Sequence, residues 1–179
     1  ALLYYPMSLS VFTTAILCST FPLIMNTLNS DSKAKTQVRS ACSTQRKAIL
    51  GGTFDPIHFG HIKPAEAIAQ WLQIEHIYLL PAHIPPHKNR TYATATQRLA
   101  MVNLVCQHLP LFSCDDRELT RGSPSYTIDT LREIKAENPQ QQLFFIIGMD
   151  SLVNFSSWHQ WQQILDFCHL VVNSRPQYQ

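Results

Sequence analysis

The sequence lacks the cysteine spacings that hold zinc or staple a small fold. Its five cysteines (Cys18, Cys42, Cys106, Cys114 and Cys168) are scattered through 179 residues without a Cys-x-x-Cys pair. That argues against a metal site or a disulfide framework and suits a reducing cytoplasm. Cys106, Cys114 and Cys168 lie in or beside apolar segments, where a thiol serves as a small core residue. Charge is sparse and uneven. Residues 1–47 carry five Lys or Arg against Asp31, whereas residues 48–179 carry nine against eleven Asp or Glu. The body of the chain is therefore mildly acidic, with no basic stripe, and nucleic acid is not expected as a partner. A membrane helix needs about 20 mostly apolar residues. Ser8 to Leu28 has the length, but Pro22 and many hydroxyl side chains interrupt it, and the positive start of a signal peptide is missing. No stable membrane association is expected. No internal repeat is present.

The first 30 residues contain no charged side chain and differ from everything that follows. Residues 1–47 are expected to be an extension, poorly ordered or non-native, without a functional role. One domain is expected over 48–179, because 45% hydrophobic content suffices for one core at this length.

The chemistry concentrates in Gly51-Gly52-Thr53-Phe54-Asp55-Pro56-Ile57-His58-Phe59-Gly60-His61. Ala48-Ile49-Leu50 before it ends a short apolar strand, and Ile62, Ala65, Ala69 and Leu72 after it share one face of a helix. Gly51 and Gly52 are expected to let the backbone turn sharply and approach a ligand. The unpaired amides and positive dipole end of the following helix favour an anion. His58 and His61, three residues apart, both reach that anion. A strand, a glycine turn and a helix start in this order make a phosphate site.

The rest of the chain alternates. Strands are expected at 46–50, 76–80, 111–114, 143–147 and 169–172. Helices are expected at about 60–73 and 97–106, from Ser123-Pro124 to Asn138-Pro139, and after Met149. Pro64 is tolerated in a first helical turn, and Pro124 suits a helix start. Leu143-Phe144-Phe145-Ile146-Ile147 is the strongest strand, an unbroken apolar run suited to a central parallel position covered on both faces. Strand and helix alternating five times with short connections predict an α/β fold with a doubly wound parallel sheet of Rossmann type. Its ligands belong at the carboxyl ends of the strands.

The segment Gly51–His61, with His58-Phe59-Gly60-His61 as a His-x-Gly-His motif, resembles the signature of the His-x-Gly-His nucleotidyltransferases. Its longer form is most similar to bacterial nicotinate-nucleotide adenylyltransferase. That family makes deamido-NAD and pyrophosphate from ATP and nicotinate mononucleotide. The resemblance spans about residues 47–178 with several motifs in order. It implies that His58 and His61 hold the ATP phosphates, with Gly51, Gly52, Thr53 and Phe54 contributing at the turn. Lys88, in Pro85-Pro86-His87-Lys88, matches a basic position near the phosphates. Gly148-Met149-Asp150 resembles the segment that contacts the adenosine ribose. Ser125-Tyr126-Thr127 is similar to the segment that receives the nicotinate end, and Trp158 corresponds to an aromatic that stacks on the pyridine ring. Trp161 is expected to pack in the core. Asp55 is expected to fix the turn or orient a histidine. His76, His108 and His169 are expected to have no catalytic part. Mg²⁺ is expected to enter with ATP, with no dedicated protein metal site, and a homo-oligomer is left open.

The family continues beyond the Arg-Pro-x-Tyr segment, here Arg175-Pro176-Gln177-Tyr178, to a second ATP motif, Ile-Ser-x-Thr-x-Ile-Arg, absent from this sequence. Gln177 stands where the family usually has glycine. The resemblance therefore implies a chain lacking its last β/α part. Two alternatives stay open: an inactive nucleotide-binding fragment, and an enzyme like pantetheine-phosphate adenylyltransferase. Trp158 and Ser125–Thr127 count against the second.

Overall fold

A computed structural model of the chain describes residues 2–5, 13–17, 46–84 and 91–174. In chain order the elements are β1 (Leu2–Tyr5), β2 (Thr13–Leu17), β3 (Arg46–Gly52), α1 (Phe59–Leu72), β4 (Ile77–Pro81), α2 (Ala95–His108) and β5 (Phe112–Cys114). There follow α3 (Arg117–Arg121), α4 (Thr127–Glu137), β6 (Gln142–Gly148), α5 (Met149–Val153), α6 (Trp161–Phe167) and β7 (His169–Ser174). A 3-10 turn at Phe155–Ser157 joins α5 to α6.

The strands form one sheet in the order β1-β2-β7-β6-β3-β4-β5. β7, β6, β3, β4 and β5 are mutually parallel, which gives the doubly wound arrangement expected. The sequence predicts no element before residue 46. In the structure β1 and β2 pair antiparallel, and β2 continues antiparallel along β7, with Thr13 opposite Ser174 and Leu17 opposite Leu170. An edge strand offers a row of unpaired backbone donors and acceptors, and β2 occupies the one that β7 presents.

Side chains on successive strand residues point to opposite faces, and β3 shows how this divides the core. Ala48 and Leu50 pack with Ile62, Ala65 and Ile68 of α1 and Val102 of α2. Ile49 packs with Ile128, Leu131 and Ile134 of α4 and Ile164 of α6. β6 repeats the division, sending Phe144 and Ile146 to the first layer and Leu143, Phe145 and Ile147 to the second. From β3 the chain winds outward through β4 and β5, then returns to β6 on the other side of β3. The carboxyl ends of β3 and β6 therefore lie side by side where the winding reverses, which is where such sheets open a crevice.

One local expectation changes. Ser123–Tyr126 does not begin a helix; α4 starts at Thr127. Pro124 instead forms a bridge with Ile84, and Ser125 donates its backbone N–H to Ile84 O at 3.2 Å. A tertiary backbone partner has outweighed the helix-start preference of proline. In α2, Leu104 is 55% exposed although it is apolar, while Arg98 on the inner face is 1% exposed.

Candidate active site

The phosphate turn is built differently from the expectation. Gly51 and Gly52 remain in β3, in register with Leu80 and Pro81 of β4. The reversal comes later, at Phe54 with φ 51° and at Asp55-Pro56, a cis peptide. Gly51 is needed for closeness: a Cβ there would lie 2.8 Å from the ring of Phe145. Phe54 is buried beneath the turn and meets His61 edge-on, with ring centroids 5.4 Å apart.

His58 is the N-cap of α1. Its Nδ1 accepts from the backbone N–H of Gly60 at 3.0 Å, and His61 Nδ1 accepts from the backbone N–H of His58 at 3.3 Å. This is a capping box made of two imidazoles. Gly60 is required by it, because a Cβ at that position would lie 2.8 Å from His58 Cε1. The two rings stand 4.0 Å apart at 33°. A neutral imidazole whose Nδ1 accepts carries its proton on Nε2. Both histidines thus direct an Nε2–H donor away from the backbone.

A cavity of about 500 Å³ opens at the ends of β3 and β6. Its lining includes Gly51, Gly52, Thr53, Phe54, His58 and His61 from the turn, and Gly148 and Asp150 beyond β6. Ser125, Tyr126, Thr127 and Trp158 line it as well. All the sequence-predicted site residues within the described part of the chain therefore meet in one space. Lys88 lies outside the described residues. Trp158 lines the cavity, backed by Phe155 at 5.4 Å and Phe145 at 6.4 Å, and Trp161 packs on Phe155 at 5.9 Å.

The α4 side has its own logic. Tyr126 caps α4 without a side-chain hydrogen bond, and Asp129 N–H donates to Tyr126 O at 3.1 Å, so the amides that the helix itself leaves to an anion are those of Thr127 and Ile128. Ser125 is buried, and its hydroxyl accepts from His83 N–H at 2.8 Å and bonds the Glu118 carboxyl. The Ser125 hydroxyl is thus engaged within the fold, although the residue still lines the cavity beside Tyr126 and Thr127. Glu118 is buried and also accepts from Thr130 Oγ1 at 2.7 Å; burial raises its carboxyl pKa, against the pull of these hydrogen bonds.

Asp55 does more than fix its own turn. Its carboxylate accepts from the backbone N–H groups of Tyr92 and Ala93, at 2.6 and 2.8 Å. Arg98, Glu118 and His159, whose ring lies 4.6 Å from Tyr126, were missed in the sequence. For Arg98 a signal existed, since it falls four residues before Val102 on the inner face of α2. Three further histidines are engaged elsewhere: His76 with Ser113 Oγ, His108 with Leu104 O and His169 with Gln142. Among the described residues no three His, Cys, Asp or Glu side chains come together to hold a metal ion, and no helix is long and apolar enough to cross a membrane.

Known proteins place this architecture. The cytidylyltransferase-like family model matches residues 49–179. The chain belongs to that family. A protein of Yersinia pestis named probable nicotinate-nucleotide adenylyltransferase is 55% identical over 132 residues, covering 73% of this chain and 60% of the relative. One of Psychromonas ingrahamii with the same name is 50% identical over 137 residues, covering 75% and 64%. The chain thus spans roughly three fifths of the length of the relatives it matches. The nicotinic acid mononucleotide adenylyltransferase of Plasmodium falciparum, solved in complex with NaAD, superposes with a TM-score of 0.61. It covers 75% of this chain and 77% of its own at 18% identity, a likeness of fold.

Proposed function

We propose that this chain belongs to an enzyme that transfers the adenylyl group of ATP to nicotinate mononucleotide, giving deamido-NAD and pyrophosphate. The observation that carries the reading is the single cavity with two unlike walls. One wall offers two imidazole donors over a helix N-terminus; the other offers the open amides of α4 beside Trp158. The first suits a triphosphate and the second an aromatic carboxylate. The two ligands would meet at the reversal between β3 and β6.

In this reaction a phosphate oxygen of the mononucleotide attacks the α-phosphorus of ATP. The bond from that phosphorus to the α,β-bridging oxygen breaks, and its electrons leave with pyrophosphate. No protein nucleophile is required, so the protein contributes alignment and donors for charge on the phosphate oxygens. In this reading the Nε2–H groups of His58 and His61 donate to those oxygens, and Asp150 accepts from ribose hydroxyls. Mg²⁺ is part of the substrate, arriving on the ATP phosphates, which is how this small, strongly hydrated ion is commonly held. Such a reaction on two water-soluble nucleotides suits the cytoplasm. We assign it to residues 48–179 and no catalytic part to residues 1–47.

The test is pyrophosphate release from ATP, Mg²⁺ and nicotinate mononucleotide, with nicotinamide mononucleotide and phosphopantetheine as competing acceptors. Preference for nicotinate mononucleotide is expected. A folded protein carrying this chain in its full length that releases no pyrophosphate with that acceptor would end the assignment.

A further inference from the structure

Arg98 carries a charge in a place where a leucine would fill the space. It lies on the inner face of α2 and is 1% exposed. Removing a guanidinium from water is costly unless good partners replace the water. Here the partners are backbone carbonyls of two separate segments. Nη1 donates to Thr53 O at 2.8 Å and to Ala82 O at 2.6 Å, and Nη2 donates to His83 O at 3.0 Å. Thr53 opens the phosphate turn after β3, whereas Ala82 and His83 follow β4. Burial lowers the pKa of Arg98, opposed by the carboxylate of Asp55 in the same turn.

Asp55 makes the second tie. By accepting from Tyr92 and Ala93 it holds the chain just before α2 against the turn. The turn is therefore fastened to Ala82–His83 through Arg98 and to Tyr92–Ala93 through Asp55. Neither side chain needs to touch a ligand to matter. The planar fork of arginine can satisfy several carbonyls at fixed angles, which an ammonium cannot reproduce.

We propose that Arg98 is a positioning residue that, with Asp55, preforms the triphosphate half of the site by fixing the phosphate turn to the chain after β4. This rests on reading that half of the cavity as an ATP site. The experiment compares the full chain with Arg98→Lys, which keeps the charge and loses the fork. Two quantities are read: amide hydrogen exchange without ligand, and calorimetric affinities for Mg²⁺–ATP and for nicotinate mononucleotide.

Exchange in peptides covering Gly52–His58 and Ala82–Ile84 should accelerate at least tenfold, with β6 and α4 unchanged. Affinity for Mg²⁺–ATP should fall at least tenfold, while that for nicotinate mononucleotide stays within twofold. Unchanged exchange overturns the proposal, and so does equal weakening of both ligands, which would mark a general structural role. An unsubstituted chain that binds neither ligand removes the ATP-site reading and leaves the exchange arm to decide Arg98 by itself. Should Arg98→Lys fail to fold, Asp55→Asn attacks the same coupling from the other tie. Faster exchange at Gly52–His58 and Tyr92–Ala93 then supports the proposal, and unchanged exchange overturns it.

Discussion

His61 has two jobs that can be separated by substitution. Its Nδ1 accepts from the backbone of His58 within the capping box, which leaves Nε2 to carry the ring proton. Asparagine places a side-chain oxygen near the position of Nδ1 and has nothing at Nε2. Glutamine reaches toward Nε2 and gives up the short acceptor. His61→Asn should therefore cost little stability. Even complete loss of one exposed backbone hydrogen bond is worth about 0.5–1.5 kcal/mol, and asparagine retains most of it. The loss of a donor to a charged phosphate oxygen is larger, about 1.5–3 kcal/mol. That corresponds to roughly 10- to 150-fold in Mg²⁺–ATP affinity. Removal of a donor that matters in the transition state costs about 10²–10³ in rate. The assays are thermal denaturation, calorimetric titration with Mg²⁺–ATP, and pyrophosphate release. The expected pattern is a near-normal midpoint for His61→Asn with weak ATP binding and slow turnover, and partial recovery of both in His61→Gln. If His61→Asn bound ATP within threefold of the unsubstituted chain, the tautomer argument would be wrong and the imidazole would be a cap only.

Gly60→Ala should displace the His58 ring, since its Cβ would sit 2.8 Å from Cε1. Loss of the cap costs about 1 kcal/mol, and weaker ATP binding should accompany the lower denaturation midpoint. Glu118 supplies a pH dependence. Its raised pKa means that the folded protein holds the proton more tightly than the unfolded chain. Its influence is absent below the ordinary value of 4.5, and stability falls as the pH rises past that value, levelling off above the raised one. Glu118→Gln should flatten that part of the curve in denaturant midpoints taken across pH, and an unchanged slope would assign it to another group. Cys114 and Cys168 have thiols pushed up to about 12, chiefly by burial. Both should resist iodoacetamide at neutral pH until the protein is unfolded; rapid native labelling of Cys168 would contradict the packing around it.

What could be read from the sequence was local. The run Leu143–Ile147 declares a buried strand by its own composition, and the order Gly-Gly, His-x-Gly-His, helix announces an anion site from adjacent residues. What escaped was long-range. Arg98 meets Thr53 across 45 positions and Asp55 meets Tyr92 across 37, separations over which no periodic pattern operates. Ser123-Pro124 misled because proline at a helix start is a statistical preference, whereas pairing with Ile84 is a particular contact of this fold. The sequence points to a sharp turn at Gly51-Gly52 because glycine permits it, but Gly51 is small to admit the Phe145 ring and Gly52 to admit that of Phe54. A phenylalanine takes the left-handed backbone instead. Glycine's two uses, freedom and absence of bulk, look alike in a sequence.

The alternation along β3 has a further meaning. The layer of α1 and α2 backs the histidine wall of the cavity, and the layer of α4 and α6 backs the wall with Tyr126 and Trp158. The two walls thus rest on separate hydrophobic layers, joined by the sheet and by the hydrogen bonds of Ser125 to His83 and Ile84. Under the proposed reaction, the adenylyl donor and its acceptor would be backed by different hydrophobic cores, so that repacking behind one wall would act first on the ligand it supports.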